Sequence, residues 1–557
     1  MANITEKLET FFIIIAVALI YYIQYYNWGG AYADTDNYMH ALRTLDFITS
    51  PTLFEHKFMM TNYPFGEISH WTRLFDIIMS LCTLPFYFFE PLKVAVYYGG
   101  LLVTPLFFLM TLLCVEKWGK TELSLRSRIF LYLLFIINPD FHHTYELARP
   151  DHHAVILFLA MAQMLALHKF IDSKRLKPII ISAIICGLSL WLAVEGLFLY
   201  VAELIFLYCC YLFSATDKKI LQTFTLIYAI TIGVCWLINP PYQGWLYMDN
   251  GRISLLYVSV AFYVWGTLWL TGKIFRNKIS QTTALALSAI ILLAIVYYAG
   301  LLASPLDERI KIAFTDRIDE MKSGFTFRCM SFPLISFFFL YGLWQNKYKI
   351  EKILLLTVFL VIYTSLTAYA RRFFGYTVLY TTLIIVLRLE YLHLKNFAYC
   401  GIIALLIALN PLAYYFDNLV INDKSSKIDF NVNTLNYINF PQGTIVSDLF
   451  ISPYILWYAE RPTIASPYHR NVEGIIDNHE ILFSDNEDKV KELLKKHQVK
   501  VIILPLADET DPYYVNPSQN CDKLYGQIMA CNTYPSWLHK VYRNGKYQMA
   551  IFVVHLE

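Results

Sequence analysis

The stretch VAVYYGGLLVTPLFFLMTLLCV at residues 94–115 decides the fold class, and the basic segment EKWGKTELSLRSR at 116–128 follows it directly. An uncharged apolar run of this length crosses a bilayer as a helix. Similar apolar runs and basic connections recur along the 557 residues, of which 57% are hydrophobic and 16% charged. Soluble proteins carry about a quarter charged residues. The sequence therefore predicts a polytopic α-helical membrane protein, and its net charge of +2 gives no indication of a nucleic-acid partner.

Thirteen membrane spans are predicted from the apolar runs. Another apolar run, at 73–89, is assigned to a helix at the membrane interface, because a span there would break the charge pattern of the loops. The predicted spans are 11–28, 94–115, 128–146, 153–169, 178–194, 197–213, 222–239, 253–271, 281–303, 328–345, 352–369, 373–390 and 398–415.

The basic loops fix the predicted orientation. Lysine and arginine near span ends favour the cytoplasmic side, and thirteen spans put all the basic loops on one side together with the N-terminus. These loops read EKWGKTELSLRSR, HKFIDSKRLK, SATDKKI, GKIFRNK, QNKYKIEK and RLEYLHLK. The opposite, extracytoplasmic side receives the loops 29–93, 139–152 and 304–327 and the chain from about residue 416 onward.

Two domains follow from this pattern. Residues 1–415 form the predicted transmembrane domain, and residues 416–557 form an extracytoplasmic domain that we call the tail. In the tail, the strand-like runs TIVS, KVIILPL and MAIFVV alternate with the helical run EDKVKELLKKHQV, a pattern typical of a small α/β domain. Cys521 and Cys531 could pair in an oxidising compartment, although the sequence alone leaves that pairing open.

Two extracytoplasmic loops bring acids and histidines to the membrane surface, where ionisable groups are costly and commonly functional. Two carboxylates with an imidazole suit Mn²⁺ or Mg²⁺ better than a structural zinc. The alternative is that Asp36 and Asp151 only cap helices. The residues concerned are Asp34, Asp36 and His40 in ADTDNYMHALR (33–43), and Asp151, His152 and His153 in ARPDHHAV (148–155).

Two further outer segments carry charge. SPLDERIKIAFTDRIDEMKS (304–323) is amphipathic, and most of its charges are typical of a solvated interfacial helix. AYARRFFGY (368–376) puts Arg371 and Arg372 at the outer start of a span. Arginine binds phosphate oxygens in a bidentate manner, so this pair predicts a lipid-phosphate site. The alternative is an interfacial pair of snorkelling arginines.

In chain order, these motifs resemble those of the catalytic subunits of oligosaccharyltransferases, within the GT-C membrane glycosyltransferases. The resemblance runs over the whole chain and is weaker in the tail. DNYMHALR resembles the Asp-x-Tyr-x-His motif, NYPFGEISHW the Tyr-Pro-x-Gly…His-Trp stretch and PDHHA the Asp-His-His motif. RIDEMK resembles the glutamate motif of the fifth outer loop, without its preceding Ser or Thr, and RRFFGY resembles the Arg-Phe-x-x-Tyr stretch.

The resemblance implies an outward-facing active site and an inverting transfer of a sugar from a polyprenyl phosphate or pyrophosphate carrier. The apolar spans would hold the polyprenyl tail, in a multi-pass protein expected in a bacterial inner membrane. The implied roles are metal ligation (Mn²⁺ or Mg²⁺) by Asp36, Asp151 and His153, catalysis by Asp36 and Glu320, and donor-phosphate binding by Arg372, Arg371 and His70.

One departure from the family concerns the acceptor. The family's tail motif Trp-Trp-Asp-Tyr-Gly reads the hydroxyl of an Asn-x-Ser/Thr acceptor. In VSDLFISPYILWYAERPT (446–463) the matching register gives Asp448-Leu449-Phe450-Ile451-Ser452, and phenylalanine cannot accept a hydrogen bond. We therefore expect a glycan, lipid or differently chosen protein as acceptor. The nearby cluster either contacts acceptor or glycan or holds the tail on the membrane part; it comprises Tyr468, His469, Arg470 and Asn471.

Three other functions stay open at this point. The nearest is a single-sugar transferase that modifies envelope lipid or polysaccharide. A transporter or flippase of lipid-linked sugars would carry polar residues at mid-membrane and broken helices in both halves, whereas here the ionisable residues collect at one face. A binding or scaffolding subunit with a decayed site is disfavoured by the intact acids.

Overall fold

A computed structural model describes residues 2–301, 306–392, 441–505, 521–531, 533–544 and 549–556. The last predicted span, 398–415, and the predicted domain boundary after residue 415 lie outside the described residues. The helices of the membrane part are α1 (Ala2–Tyr26), α2 (Thr35–Thr49), α3 (Arg73–Tyr87), α4 (Leu92–Glu122), α5 (Leu125–Ile137), α6 (Pro139–Thr144), α7 (His152–Ser173), α8 (Leu176–Leu192), α9 (Leu197–Leu212), α10 (Lys218–Ile238), α11 (Leu255–Ile274), α12 (Lys278–Tyr298), α13 (Phe327–Gln345), α14 (Ile350–Tyr369) and α15 (Phe374–Tyr391).

The membrane part confirms the predicted class of fold. Within the described ranges, nine helices are long and apolar enough to cross a membrane, and two shorter apolar helices, Leu176–Leu192 and Cys329–Gln345, accompany them. The predicted span 128–146 is wrong as one helix, because α5 ends at Ile137 and α6 starts at Pro139. Proline cannot donate the backbone hydrogen bond that a continuing helix needs. The run at 73–89 forms the separate helix α3.

The connections rich in lysine lie together at one end of the helices. Nζ of Lys352, at the start of α14, is 2.5 Å from Glu122 at the end of α4 and 3.0 Å from Asp172 at the end of α7. Lys174 pairs with Glu351 at 3.3 Å. These ion pairs join helix ends that the charge pattern had assigned to one side of the membrane.

One acid lies inside the helix bundle. Glu203 of α9 is fully buried, and its carboxylate accepts hydrogen bonds from Gln163 of α7 at 2.7 Å and from Ser182 of α8 at 2.5 Å. The sequence had suggested that the ionisable residues collect at one face of the membrane. Glu203 is an exception, because it lies inside the bundle. Because both oxygens of Glu203 are hydrogen-bonded, the group joins three helices.

The tail contains a four-stranded sheet with the order β1-β2-β4-β3. Its elements are β1 (Thr444–Ser447), α16 (Val472–Phe483), α17 (Glu487–Lys496), β2 (Val499–Pro505), β3 (Leu538–Asn544) and β4 (Met549–Val554). Strands β1 and β2 are parallel, with α16 and α17 between them in the chain, and β4 pairs antiparallel with β2 and β3. This confirms the predicted α/β tail. A disulfide joins Cys521 and Cys531.

Part of the tail's core comes from the membrane part of the chain. Ile310 and Phe314, which precede α13, are buried against Val446 of β1 and Ile464 in one hydrophobic cluster. The loop around 306–318 therefore packs as a piece of the tail, and the two lie on the same side of the membrane part.

The loop between α2 and α3 is the second contact of the tail. The backbone N–H of Asn62 donates to the carbonyl of Ile464 at 3.1 Å, and the N–H of Thr463 donates to the carbonyl of Met60 at 2.9 Å. Ser466 donates to the buried carboxyl of Glu67 at 2.5 Å. These bonds hold the tail against the loop between α2 and α3.

Candidate active site

Asp36 lies in the first turn of α2, whose N-cap is Asp34. The Asp34 side chain accepts from the N–H of Thr35 at 2.6 Å, and Oδ1 of Asn37 accepts from the N–H of Asp34 at 3.0 Å. Asp36 is therefore not needed as a cap. Burial raises the pKa of Asp36 well above its ordinary value, and the neighbouring carboxylates of Asp34, Glu320 and Asp151 add to that effect.

Asp151 is the N-cap of α7 and also faces the imidazoles that follow it. Its Oδ1 accepts from the backbone N–H of His153 at 3.2 Å and lies 2.8 Å from Nδ1 of His152. Burial alone would raise the pKa of Asp151, but the imidazoles of His153 and His152, together with Arg149, hold it well below its ordinary value. Asp151 can therefore cap α7 and at the same time take part in a site with the imidazoles.

A cavity of about 570 Å³ opens beside the start of α7. It brings together residues from the second outer loop, from the segment before α13 and from the turn Arg371–Phe373 before α15. The charged and imidazole side chains that line it are Asp140, His143, Arg149, Asp151, His153, Glu320, Arg371 and Arg372. Five predicted site residues therefore line one space, whereas Asp36 and His70 do not line it; the five are Asp151, His153, Glu320, Arg371 and Arg372.

Arg372 has three acidic or imidazole neighbours at the cavity. It forms an ion pair with Glu195, lies 3.5 Å from Nε2 of His153 and 4.0 Å from Glu320. Its buried Nε has no hydrogen-bond partner among the described residues. Arg371 differs, since its backbone N–H and its Nε bond to the carbonyls of Lys322 and Ser323 at 3.0 and 3.2 Å.

Two site residues were missed by the sequence reasoning. Glu195 lies in the three-residue turn Val194–Gly196 between α8 and α9 and reaches both Arg372 and His153. Arg149 contacts the ring nitrogens of His143 at 2.9 and 3.1 Å, and its Nε lies 4.0 Å from Asp151. A signal for Glu195 existed, because a lone acid in a very short connection between two apolar runs lies at membrane depth.

Within the part of the chain that the structure describes, two groups of side chains bring potential metal-ligand atoms within 4.8 Å of one another. Asp36 is in neither group, although its carboxylate is close enough to Asp151 and Glu320 to feel their charge. The first group is His40, Asp151 and His152; the second is His152, His153 and Glu195. His40 is buried, stacks on Trp71 at 3.8 Å, and neither ring nitrogen has a partner in the described part of the chain.

His70 and the tail cluster pack against each other. The His70 ring lies 4.3 Å from His469, and Trp71 lies 4.6 Å from Tyr468. Arg470 pairs with Asp249 at 2.7 Å, while Asn471 donates to the carbonyl of Ile464 at 3.1 Å. Tyr468 and Arg470 thus contact the membrane part, whereas the bond from Asn471 to Ile464 lies within the tail. Nε2 of His469 has no hydrogen-bond partner among the residues described.

The turn 448–452 is tied to the loop before α13. Asp448 is buried, its Oδ2 lies 2.8 Å from Nη1 of Arg317, and the Arg317 guanidinium lies 4.8 Å from the centre of the Phe450 ring. The other Asp448 oxygen accepts from the N–H of Phe450 at 2.8 Å. Both oxygens of the one acid in this turn are therefore used inside the protein.

The fold is similar to that of solved oligosaccharyltransferase structures. The archaeal oligosaccharyltransferase AglB from Archaeoglobus fulgidus, in complex with an inhibitory peptide and a dolichol-phosphate, is similar with a TM-score of 0.66 and 13% identity, over 99% of this chain and 74% of that one. The Archaeoglobus fulgidus enzyme with zinc and sulfate gives 0.63 and 13%, over 96% and 72%. The same enzyme tethered to an acceptor peptide with the NVT sequon gives 0.63 and 14%, over 99% and 74%.

The remaining comparisons gave no match. Neither a protein-family model nor a curated protein sequence is similar to this chain. At 13–14% identity, the likeness to the archaeal structures establishes the fold.

Proposed function

We propose that this protein is a metal-dependent, inverting glycosyltransferase that moves a sugar or oligosaccharide from a polyprenyl phosphate or pyrophosphate to an acceptor outside the cytoplasm. The observation that carries the proposal is the cavity in which Asp151, His153 and Glu320 face Arg372. Carboxylates and imidazole suit a divalent cation, and a guanidinium suits phosphate. Such a pair of neighbouring sites is what transfer from a phosphate-linked sugar requires.

The residues fit a divalent metal, Mn²⁺ or Mg²⁺. The carboxylates of Asp36, Asp151 and Glu320 lie close enough to repel one another, and a bound cation would offset that repulsion. Asp36, Asp151 and His153 would hold it, with Glu320 beside them. When bound, the metal would stabilise the charge of the departing phosphate. Asp36 also orients the acceptor or takes its proton.

Arg372 binds the donor phosphate in this proposal, and Arg371 fixes the adjoining loop. The unpartnered Nε of Arg372 supports the first role. A small apolar recess of about 70 Å³ shares Asp140 with the main cavity and is lined by Leu134, Ile137, Phe332, Val378 and Ile385 among others. Apolar walls next to a phosphate site suit the first isoprene units of a polyprenyl tail.

The acceptor is proposed to be a glycan, a lipid or a protein chosen by features other than a sequon. Asp448 is committed to Arg317 and to the backbone of Phe450, so the turn offers an acceptor hydroxyl no carboxylate. This observation also favours the second candidate, a single-sugar transferase acting on envelope lipid or polysaccharide. His469 and His70 stay candidates for contact with acceptor or donor.

Two observations bear on sidedness and on the transport alternative. The disulfide Cys521–Cys531 supports an extracytoplasmic tail, because disulfides persist in oxidising compartments. Glu203 is the polar residue that a transporter would use at mid-membrane, but its oxygens are bonded to Gln163 and Ser182. It lines neither the main cavity nor the apolar recess beside it, which favours a structural role.

The test is an assay of the purified protein with radiolabelled lipid-linked sugar and cell-envelope fractions as acceptor. We expect label to move covalently to the acceptor, chelation to stop transfer, and added Mn²⁺ or Mg²⁺ to restore it. Asp36→Asn should be inactive, whereas Glu473→Gln, a change at an exposed acid, should match the wild type. Transfer that is unaffected by chelation would contradict the metal role, and label crossing vesicles without a new bond would indicate a transporter.

A further inference from the structure

Glu195 is held in place by a very close backbone contact. The turn Val194–Gly196 reverses the chain between α8 and α9. A Cβ atom at Gly196 would meet the carbonyl oxygen of Ser189 at 2.2 Å, a distance that no side chain tolerates. The turn thus packs directly on the backbone of α8, and Glu195 projects from a fixed point toward the cavity.

The two oxygens of Glu195 serve two different residues. Oε1 forms the ion pair with Arg372, and Oε2 lies 3.3 Å from Nδ1 of His153. The Glu195 side chain is 13% exposed. Because Arg372 fixes one oxygen, the other is left facing the imidazole.

The surroundings of His153 favour one tautomer. A carboxylate at Nδ1 favours a proton on that nitrogen. Of the two ring nitrogens, Nε2 is then the one left for a metal ion, and it lies 3.5 Å from Nη2 of Arg372. A metal ion on Nε2 would complete the carboxylate–histidine–metal arrangement common in metalloproteins.

We infer that Glu195 is a positioning residue: it fixes the tautomer and the ring of His153 so that Nε2 faces the divalent metal. The inference rests on the proposed function, because it needs the metal to bind at His153. Glu195 acts through His153 and is not itself a ligand. Its amide counterpart still accepts from Nδ1–H through its carbonyl oxygen, so the role predicts rescue by glutamine.

The experiment measures Mn²⁺ affinity of the purified protein by titration calorimetry, without substrate. Glu195→Ala should weaken binding by about tenfold to a hundredfold, the usual effect of losing an outer partner of a histidine ligand. Glu195→Gln should stay within about threefold of the wild type, and Glu473→Gln serves as the matched control at an exposed acid. If Glu195→Ala does not fold, Glu195→Leu, which keeps most of the volume, replaces it.

A double-mutant cycle separates positioning from a general structural effect. In a His153→Ala background, Glu195→Ala should weaken Mn²⁺ binding no further. Additive losses would overturn the inference, as would an unaffected Glu195→Ala, or a Glu195→Gln as weak as Glu195→Ala, which would make Glu195 a direct ligand. A wild type that binds no Mn²⁺ would overturn the metal dependence as well, so the two failures are distinguishable.

Discussion

At the scale of single residues, Asp151 combines a helix cap with a charge that faces the cavity, and substitution separates the two. Asparagine keeps the cap on the N–H of His153, since asparagine is a preferred N-cap. We expect Asp151→Asn to unfold at nearly the wild-type temperature but to lose more than about a hundredfold in transfer rate. The reason is that loss of a metal ligand should cost more than loss of a residue that only hydrogen-bonds to a ligand. Thermal unfolding and the radiolabel assay measure the two effects.

Asp151→Ala is the comparison for that variant. It removes the charge and the cap, so it should lose about 1 kcal/mol of stability in addition to the activity. Substantial transfer by Asp151→Asn would remove Asp151 from the proposed metal site and leave it as a helix cap alone.

Glu67 gives a pH-dependent contact between the tail and the loop before α3. Burial raises its pKa to about 7, although Ser466 donates to the carboxyl. The folded protein therefore holds a proton that the unfolded chain releases above its ordinary pKa of 4.5. Relative to its stability at high pH, the folded protein is therefore stabilised at low pH. This contribution to the free energy of unfolding is fully present below about pH 4.5 and is lost as the pH rises to about 7, with a total of about 3 kcal/mol.

Glu67→Gln should remove this dependence, because the amide stays neutral at every pH. We expect the unfolding temperatures of wild type and variant to agree near pH 4.5 and the variant to be the more stable at pH 8. If the unfolding temperatures of wild type and variant differ by the same amount at both pH values, the Glu67 carboxyl does not take up a proton on folding.

At the scale of elements, the sequence predicted those helices whose position depends only on the length of an apolar run. The run 222–239 corresponds to Lys218–Ile238 and the run 352–369 to Ile350–Tyr369, because a span needs about twenty apolar residues regardless of its neighbours. The strand TIVS is β1 without a shift. Tertiary contacts decided the rest. Strand β3 has no clear alternation, and it exists because β4 pairs with it.

The motifs singled out residues that the fold brings only partly into one place. Asp151, His153, Glu320 and Arg372 line one cavity, whereas Asp36 and His70, which motifs singled out in the same way, do not line it. The roles of all six residues stay predictions. Glu195 has no motif, and its importance depends on Gly196 allowing a close approach between two helices. Such an approach is a property of the packed structure, which the sequence does not display.

The turn 448–452 determines the expected choice of acceptor. A site that reads an acceptor hydroxyl discriminates by orders of magnitude, because its polar groups need that partner. Here Asp448 is already paired with Arg317. We therefore expect an Asn-x-Thr peptide to be no better an acceptor than its Asn-x-Ala counterpart, measured as glycopeptide formed with one lipid-linked donor.

The similar archaeal enzyme provides the positive control for this comparison, since its crystal structure was solved with a tethered NVT-sequon peptide. A strong preference of the present protein for the threonine peptide would mean that another surface, such as the cluster around His469, reads the sequon.

At the scale of the whole molecule, the orientation in the membrane stays a prediction. The tail and the loop before α13 lie on one side, and the lysine-rich connections gather at other helix ends. Basic loops favour the cytoplasm, so the tail should lie outside it. A periplasm-active reporter fused after Asp417, a position outside the described residues, should be active. A cytoplasm-active reporter fused there should be inactive, and the reverse pattern would contradict the proposed function.

The hydrophobic cluster shared by the tail and the loop around 306–318 has a consequence for biogenesis. Ribosomes make residues 306–318 before any part of the tail, and Ile310 and Phe314 are buried in the tail's core. An excised tail would lack these side chains and expose the apolar surface that they cover. If the tail lies outside the cytoplasm, as predicted, the earlier loop crosses the membrane before the tail and is already on that side when the tail folds around it.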